Sequence, residues 1–166
     1  MEKNIHNISN PLLCKRETPY GTFPFDKITP EHIEEAIYEG MARENDEIRA
    51  ITENSEAPTL KNTILALESS GALLNEASTL MYNLQGVTSN KPLDELIERL
   101  APVIARHETD ILLNERLFMR VKAVMESCCL VAEERKLLEE TYDAFLRSGA
   151  TLSPKGKERF RAITAE

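Results

Sequence analysis

Apolar residues recur along most of this chain at helical spacing. After Thr29-Pro30-Glu31, a capping residue, a first-turn proline and a first-turn acid, Ile33, Ile37, Met41, Ile48 and Ile51 follow at intervals of three, four and seven. That spacing holds them on one face of a helix. Asn54, Ser55 and Pro58 mark its end. Thr59 opens a short helix carrying Leu60, Ile64 and Leu67, which stops at Ser69-Ser70-Gly71. A third carries Leu73, Ala77, Leu80 and Leu84, widened by Leu74 and Met81. Gly86 to Pro92 reads as a loop.

A long helix with Leu93, Ile97, Leu100, Ile104 and Ile111 on its seam comes next. Pro102 lies inside it and predicts a kink, because proline lacks the backbone donor and crowds the preceding turn. Asn114 is placed to cap a further helix with Leu117, Val121, Val124 and Met125 inward. Leu137, Leu138, Thr141, Tyr142 and Phe145 make another face, closed by Ser148-Gly149 with the glycine suited to a left-handed cap. Ser153-Pro154 begins a last helix, with Phe160 and Ile163 on its face before Glu166. This helix has no stop signal, which leads us to expect a piece of a longer protein. No segment alternates as a strand does, and no fixed repeat recurs. The fold class expected is all-α, a bundle of about six or seven helices over residues 29–166. Residues 1–28 carry Pro11, Pro19, Gly21 and Pro24 among Leu12, Leu13, Tyr20, Phe23 and Phe25. They read as an irregular but ordered arm lying along that domain.

Composition narrows the function. The 166 residues are 42% hydrophobic and 29% charged, ordinary for a globular domain. With 20 basic and 28 acidic side chains the net charge is −8, so neither nucleic acid nor an anionic membrane surface is an expected partner. The apolar runs are too short to span a bilayer. Cys14, Cys128 and Cys129, an odd number with one adjacent pair, do not form a disulfide framework. The opening MEKNIHNISNPLLCK has no basic segment followed by an apolar stretch. The cytoplasm is therefore the expected compartment.

Candidate chemistry is sparse. His6 lies in the arm and His32 in the first turn of a helix. His107 begins His107-Glu108-Thr109-Asp110-Ile111, half of an HExxH zinc helix, with isoleucine where the second imidazole must stand. Two histidines four apart share a metal from one helix face; one alone does not. His107 is thus expected to be a half-buried residue satisfied by a hydrogen bond. Cys128-Cys129 lacks metal-site spacing and a second pair, so inert thiols are expected. Glu34-Glu35 and Glu139-Glu140 are adjacent in sequence and point different ways on a helix. There is no glycine-rich phosphate loop. No catalytic, cofactor-binding or metal-binding residue is assigned.

One set of phrases goes further. Asn10-Pro11-Leu12-Leu13, then TPYGTFPFDKITPEHIEEAI up to Ile37, resembles the N-terminal region of the thimet-oligopeptidase family of zinc metallopeptidases. The likeness is greatest to the bacterial peptidyl-dipeptidase (dipeptidyl carboxypeptidase) branch. Its most specific part holds Phe25, Ile28, Pro30, His32, Ile33 and Ala36. The stretch from Pro58 to Gly71, PTLKNTILALESSG, is similar to the family's PTFxNTxxALExSG. Tyr82-Asn83-Leu84, Ala101-Pro102, and Gly149-Ala150 with Leu152 also fit, so the resemblance covers residues 10 to 166. It implies a helical parent several times longer, with a channel for unstructured oligopeptides between two halves. It also implies a zinc held by an HExxH helix and a downstream glutamate, neither of which this chain contains. This chain would be a non-catalytic N-terminal segment forming part of the channel wall, and its partner the missing catalytic half. The alternative is a stand-alone helical module that binds a peptide or protein without catalysis.

Overall fold

The computed structural model describes residues 10–88, 90–127 and 131–164, and among them there is no strand. The all-α expectation holds. Helix α1 spans Pro30–Glu53; Leu60–Leu65 winds as a π-helical stretch and continues into the short α2, Ala66–Glu68. Then follow α3 (Ala72–Thr88), α4 (Lys91–Leu112), α5 (Glu115–Ser127), α6 (Ala132–Arg147) and α7 (Pro154–Thr164).

The helix starts obey their capping chemistry. Thr29 Oγ1 accepts from the His32 backbone at 3.4 Å while His32 Nδ1 faces the Thr29 amide at 3.3 Å, a reciprocal box. Thr59 and Asn62 repeat it at 3.1 and 2.8 Å. Asn114 Oδ1 accepts from the Leu117 amide at 3.1 Å, as its position predicts. At the end of α6, Gly149 adopts φ +80°. The Ala150 amide donates back to Phe145 and the Gly149 amide to Leu146, satisfying two carbonyls the helix would leave open.

Two expectations fail. Gly86 to Pro92 is mostly not a loop: α3 continues to Thr88 and α4 starts at Lys91, with Asn90 capping it and Pro92 in its first turn. Glycine lowers helix propensity by about 1 kcal/mol without forbidding a helix, and proline is tolerated in a first turn, so neither residue breaks the chain here. Pro102 lies within α4, which continues past it to Leu112, and it faces solvent. Met125 is exposed rather than inward, because the buried arc of α5 passes through Leu117, Phe118, Val121 and Val124.

The interior is divided in two. The first cluster joins Ile33, Ile37 and Met41 of α1 to Leu74, Leu80 and Met81 of α3 and Leu93, Leu100 and Ile104 of α4. Leu12 of the N-terminal stretch is buried in it, with Leu13, Phe23 and Ile28 packed alongside. Asn10 fastens that stretch by donating to the His32 carbonyl and to Glu35 Oε2, each at 2.9 Å. The second cluster joins Ile48 and Ile51 to Ile64, to Leu117, Val121 and Val124 of α5, and to Leu138 and Phe145 of α6. Phe118 stacks between Tyr142 and Phe145 at centroid distances of 5.7 and 5.9 Å. Both α1 and α4 run through both clusters.

Candidate functional site

His107 stands on α4 where the two clusters meet. Its Nε2 lies 2.8 Å from Glu44 Oε2 of α1, and the two side chains are 9% and 15% exposed. Next to them, Glu47 accepts the Gly71 amide at 2.9 Å. Gly71, at φ +69°, sits so close that a Cβ there would strike the Glu44 carboxylate. A polar layer of α1, α4 and the 69–72 turn thus separates two apolar interiors. Glu44 and His107 satisfy one another there, as nearly buried polar groups must, while Glu47, itself exposed, accepts from Gly71.

His32, Glu34 and Glu35 are engaged within the fold. His32 completes the capping box of α1, and its Nδ1 also lies 3.1 Å from the Lys27 carbonyl. Glu34 pairs with Arg99 of α4 at 2.7 Å while neighbouring Glu35 turns to Asn10. Glu140 pairs with Lys136 at 3.1 Å, and Glu139 is exposed. Cys14 is exposed. His6, Cys128 and Cys129 lie outside the described residues. Glu31, in the first turn of α1, has its carboxyl held below the usual carboxylate value, chiefly by the Thr29 side chain and then by its own backbone amide. This is helix-end electrostatics rather than a reactive acid.

A zinc ion needs three or four donors converging at one point. Among the described residues no group of three histidine, cysteine, aspartate or glutamate side chains is placed to hold a metal. His107 offers one imidazole beside one carboxylate, so these residues do not fit a zinc centre.

What the chain does present is a groove. Between α5, the 150–152 turn and α7 lies an open cavity of about 610 Å³. Leu113, Phe118, Met119, Ala150 and Leu152 line its apolar side, and Lys157, Glu158 and Arg161 of α7 its charged wall. Met119 and Leu152 remain 56% and 43% exposed. The helical pattern hid the groove, since Met119 lies off the buried arc of α5 and Leu152 sits in a turn. The signal available was Gly149, whose left-handed cap swings Leu152 back over the helix end. No helix among the described residues is long and apolar enough to cross a membrane.

Comparison with known proteins yields three relatives. The chain is 36% identical over 160 residues to dipeptidyl carboxypeptidase of Escherichia coli, matching 95% of this chain and 24% of that protein. It is 35% identical over 161 residues to dipeptidyl carboxypeptidase of Salmonella typhimurium, again 95% and 24%. Oligopeptidase A of Escherichia coli matches at 22% over 159 residues, covering 94% of this chain and 23% of that protein. No family model matches the chain. The chain thus spans about a quarter of the length of the curated relatives it matches. The resemblance carried by residues 10–39 and 58–71 is borne out, in the branch to which those phrases pointed.

Proposed function

We infer that this chain, a relative of bacterial dipeptidyl carboxypeptidases over nearly all its length, is the non-catalytic N-terminal segment of a peptidase of that kind. The observation that carries the reading is the match itself: 95% of this chain against 24% of a dipeptidyl carboxypeptidase. In this reading residues 1–28 are an arm along a helical domain of residues 29–166. The domain supplies wall helices to a channel that admits unstructured oligopeptides, and the parent releases dipeptides from a free C-terminus. Zinc belongs to the remainder of the parent, where the metal-holding helix lies, and the enzyme works in the cytoplasm. What this chain's own residues contribute is rigidity. The Glu44–His107 layer ties α1 to α4, and the Asn10 bonds tie the arm to α1, so that the wall keeps its shape when peptide enters.

The mass of the native gene product tests this. An antibody against these residues should detect a band several times heavier than 18.8 kDa in a lysate of the source cells. The isolated chain should show no peptidase activity and retain no stoichiometric zinc after dialysis. A native band at 18.8 kDa would refute the reading and turn attention to a stand-alone binding module.

A further inference from the structure

The same capping device opens two helical segments of this chain, and the two copies differ in what one atom must do. At the second, Asn62 Oδ1 accepts from the Thr59 amide at 2.8 Å while its Nδ2 donates to the Ala57 carbonyl at 3.0 Å. An amide side chain has a separate acceptor and donor, so both bonds are made together. At the first, His32 holds the matching position. The Thr29 amide, three residues back, lies 3.3 Å from Nδ1, and the Lys27 carbonyl, five residues back, lies 3.1 Å from the same atom. One ring nitrogen cannot serve both. Bare, it accepts from the Thr29 amide and turns a lone pair toward the Lys27 oxygen. Protonated, it donates to that oxygen and has nothing to offer the amide.

The two competing partners belong to different parts of the fold. Thr29 is the cap of α1. Lys27 ends the 3-10 turn Phe25–Lys27 of the N-terminal stretch. Phe25 of that turn walls a cleft of about 220 Å³ together with Ile28, Ile33, Leu84 and Leu93. We propose that His32 is a proton-operated latch between the N-terminal stretch and α1. With the ring neutral and its proton on Nε2, Nδ1 completes the α1 cap and the 25–27 turn is unfastened. With the ring charged, Nδ1 lets go of the Thr29 amide and holds the turn by its Lys27 carbonyl, fixing one wall of the cleft. The proton comes from solvent, which the half-buried ring reaches, and returns there on release. The charged groups on the elements around the ring are Glu31 and Glu35 of α1, Asp26 and Lys27 of the turn, and Glu34 with Arg99 of α4, which pair at 2.7 Å. Glu35 is engaged by Asn10, and α3 carries no charged side chain from Ala77 to Thr88.

Hydrogen exchange of single amides, read by mass spectrometry with electron-transfer fragmentation, tests the latch on the full-length gene product, whatever its length. Histidine changes charge between about pH 8 and pH 5, so exchange is compared at those two values after correction for the intrinsic rate. On acidification, protection of the Thr29 amide should fall about fivefold, the equivalent of one ordinary hydrogen bond. Protection of the Lys27 amide, which donates to the Pro24 carbonyl at 2.9 Å within the turn, should rise over the same range. The Thr59 amide should not change, because its acceptor on Asn62 does not titrate. In His32→Asn, which rebuilds the first box on the pattern of the second, Thr29 and Lys27 should both stay protected at either pH. The opposite signs separate the latch from acid fraying, which would loosen both amides together and overturn the proposal. Thr29 protection that ignores pH in the unmodified protein would overturn it as well, since Nδ1 would then keep a single role. A pH response that survives in His32→Asn would overturn it by assigning the titration to Glu31, Glu35 or Asp26.

Discussion

His107 shows how one residue can resemble a catalytic group and be structural. Its position in a broken HExxH phrase invites a metal, yet its imidazole is spent on Glu44 at 2.8 Å. The pair is nearly buried, so losing one member leaves the other desolvated without a partner. His107→Ala is expected to destabilise the chain by about 2–3 kcal/mol, read from the midpoint of urea unfolding. The double variant Glu44→Leu/His107→Leu should recover most of that loss, because an apolar pair leaves no orphaned charge. A single variant as stable as the parent would show that the pair contributes nothing. From sequence, His107 was legible as a half-buried, hydrogen-bonded residue. Glu44 was not legible as its partner, since the two lie 63 residues apart. Arg120 is a similar case. Its guanidinium donates to the Asn54 carbonyl at 2.8 Å and to Asn62 Oδ1 at 3.3 Å, binding the 54–62 connection to α5. No local pattern assigns a lone arginine that task.

At the scale of the element, helix starts and stops followed local chemistry closely, because a cap is made by residues three apart. Thr29, Thr59, Asn114 and Gly149 all act where the sequence placed them. One failure lies at Gly86, which stays helical in α3 although it is exposed with open space around it, because a single glycine costs a helix only about 1 kcal/mol. Helix packing makes a second demand. Gly40 of α1 lies against α3 so closely that a Cβ there would be 2.7 Å from the Leu74 backbone nitrogen. Backbone cannot give way as a side-chain tip can. Gly40→Ala should therefore cost about 1–3 kcal/mol despite alanine's better helix propensity. Thermal unfolding followed by circular dichroism would measure it, and a raised melting temperature would refute the close approach. Nothing in the spacing of apolar residues marked Gly40, since the requirement comes from another helix.

At the scale of the whole molecule, the question is what covers the surface the fold leaves apolar. Val87, Val131, Met119 and Ile163 are 78%, 65%, 56% and 61% exposed. Surface of that kind drives association when it is contiguous. The isolated chain is therefore expected to self-associate, with sedimentation velocity showing species heavier than 18.8 kDa as concentration rises. A single monomeric boundary at all concentrations would contradict this. The sequence by itself determined the helical class, the positions of the caps and the inward faces of α1, α4 and most of α5. These follow from interactions within a turn or two, which a linear pattern records. It also carried the phrases by which the chain is likened to dipeptidyl carboxypeptidase. Only the tertiary structure decided that the interior is two clusters parted by a polar layer, that Asn10 and Arg120 are fasteners, and that a groove opens beside α7. Each of those depends on residues distant in sequence meeting at hydrogen-bond or van der Waals range. Side-chain spacing along one helix carries no information about which neighbour it will meet.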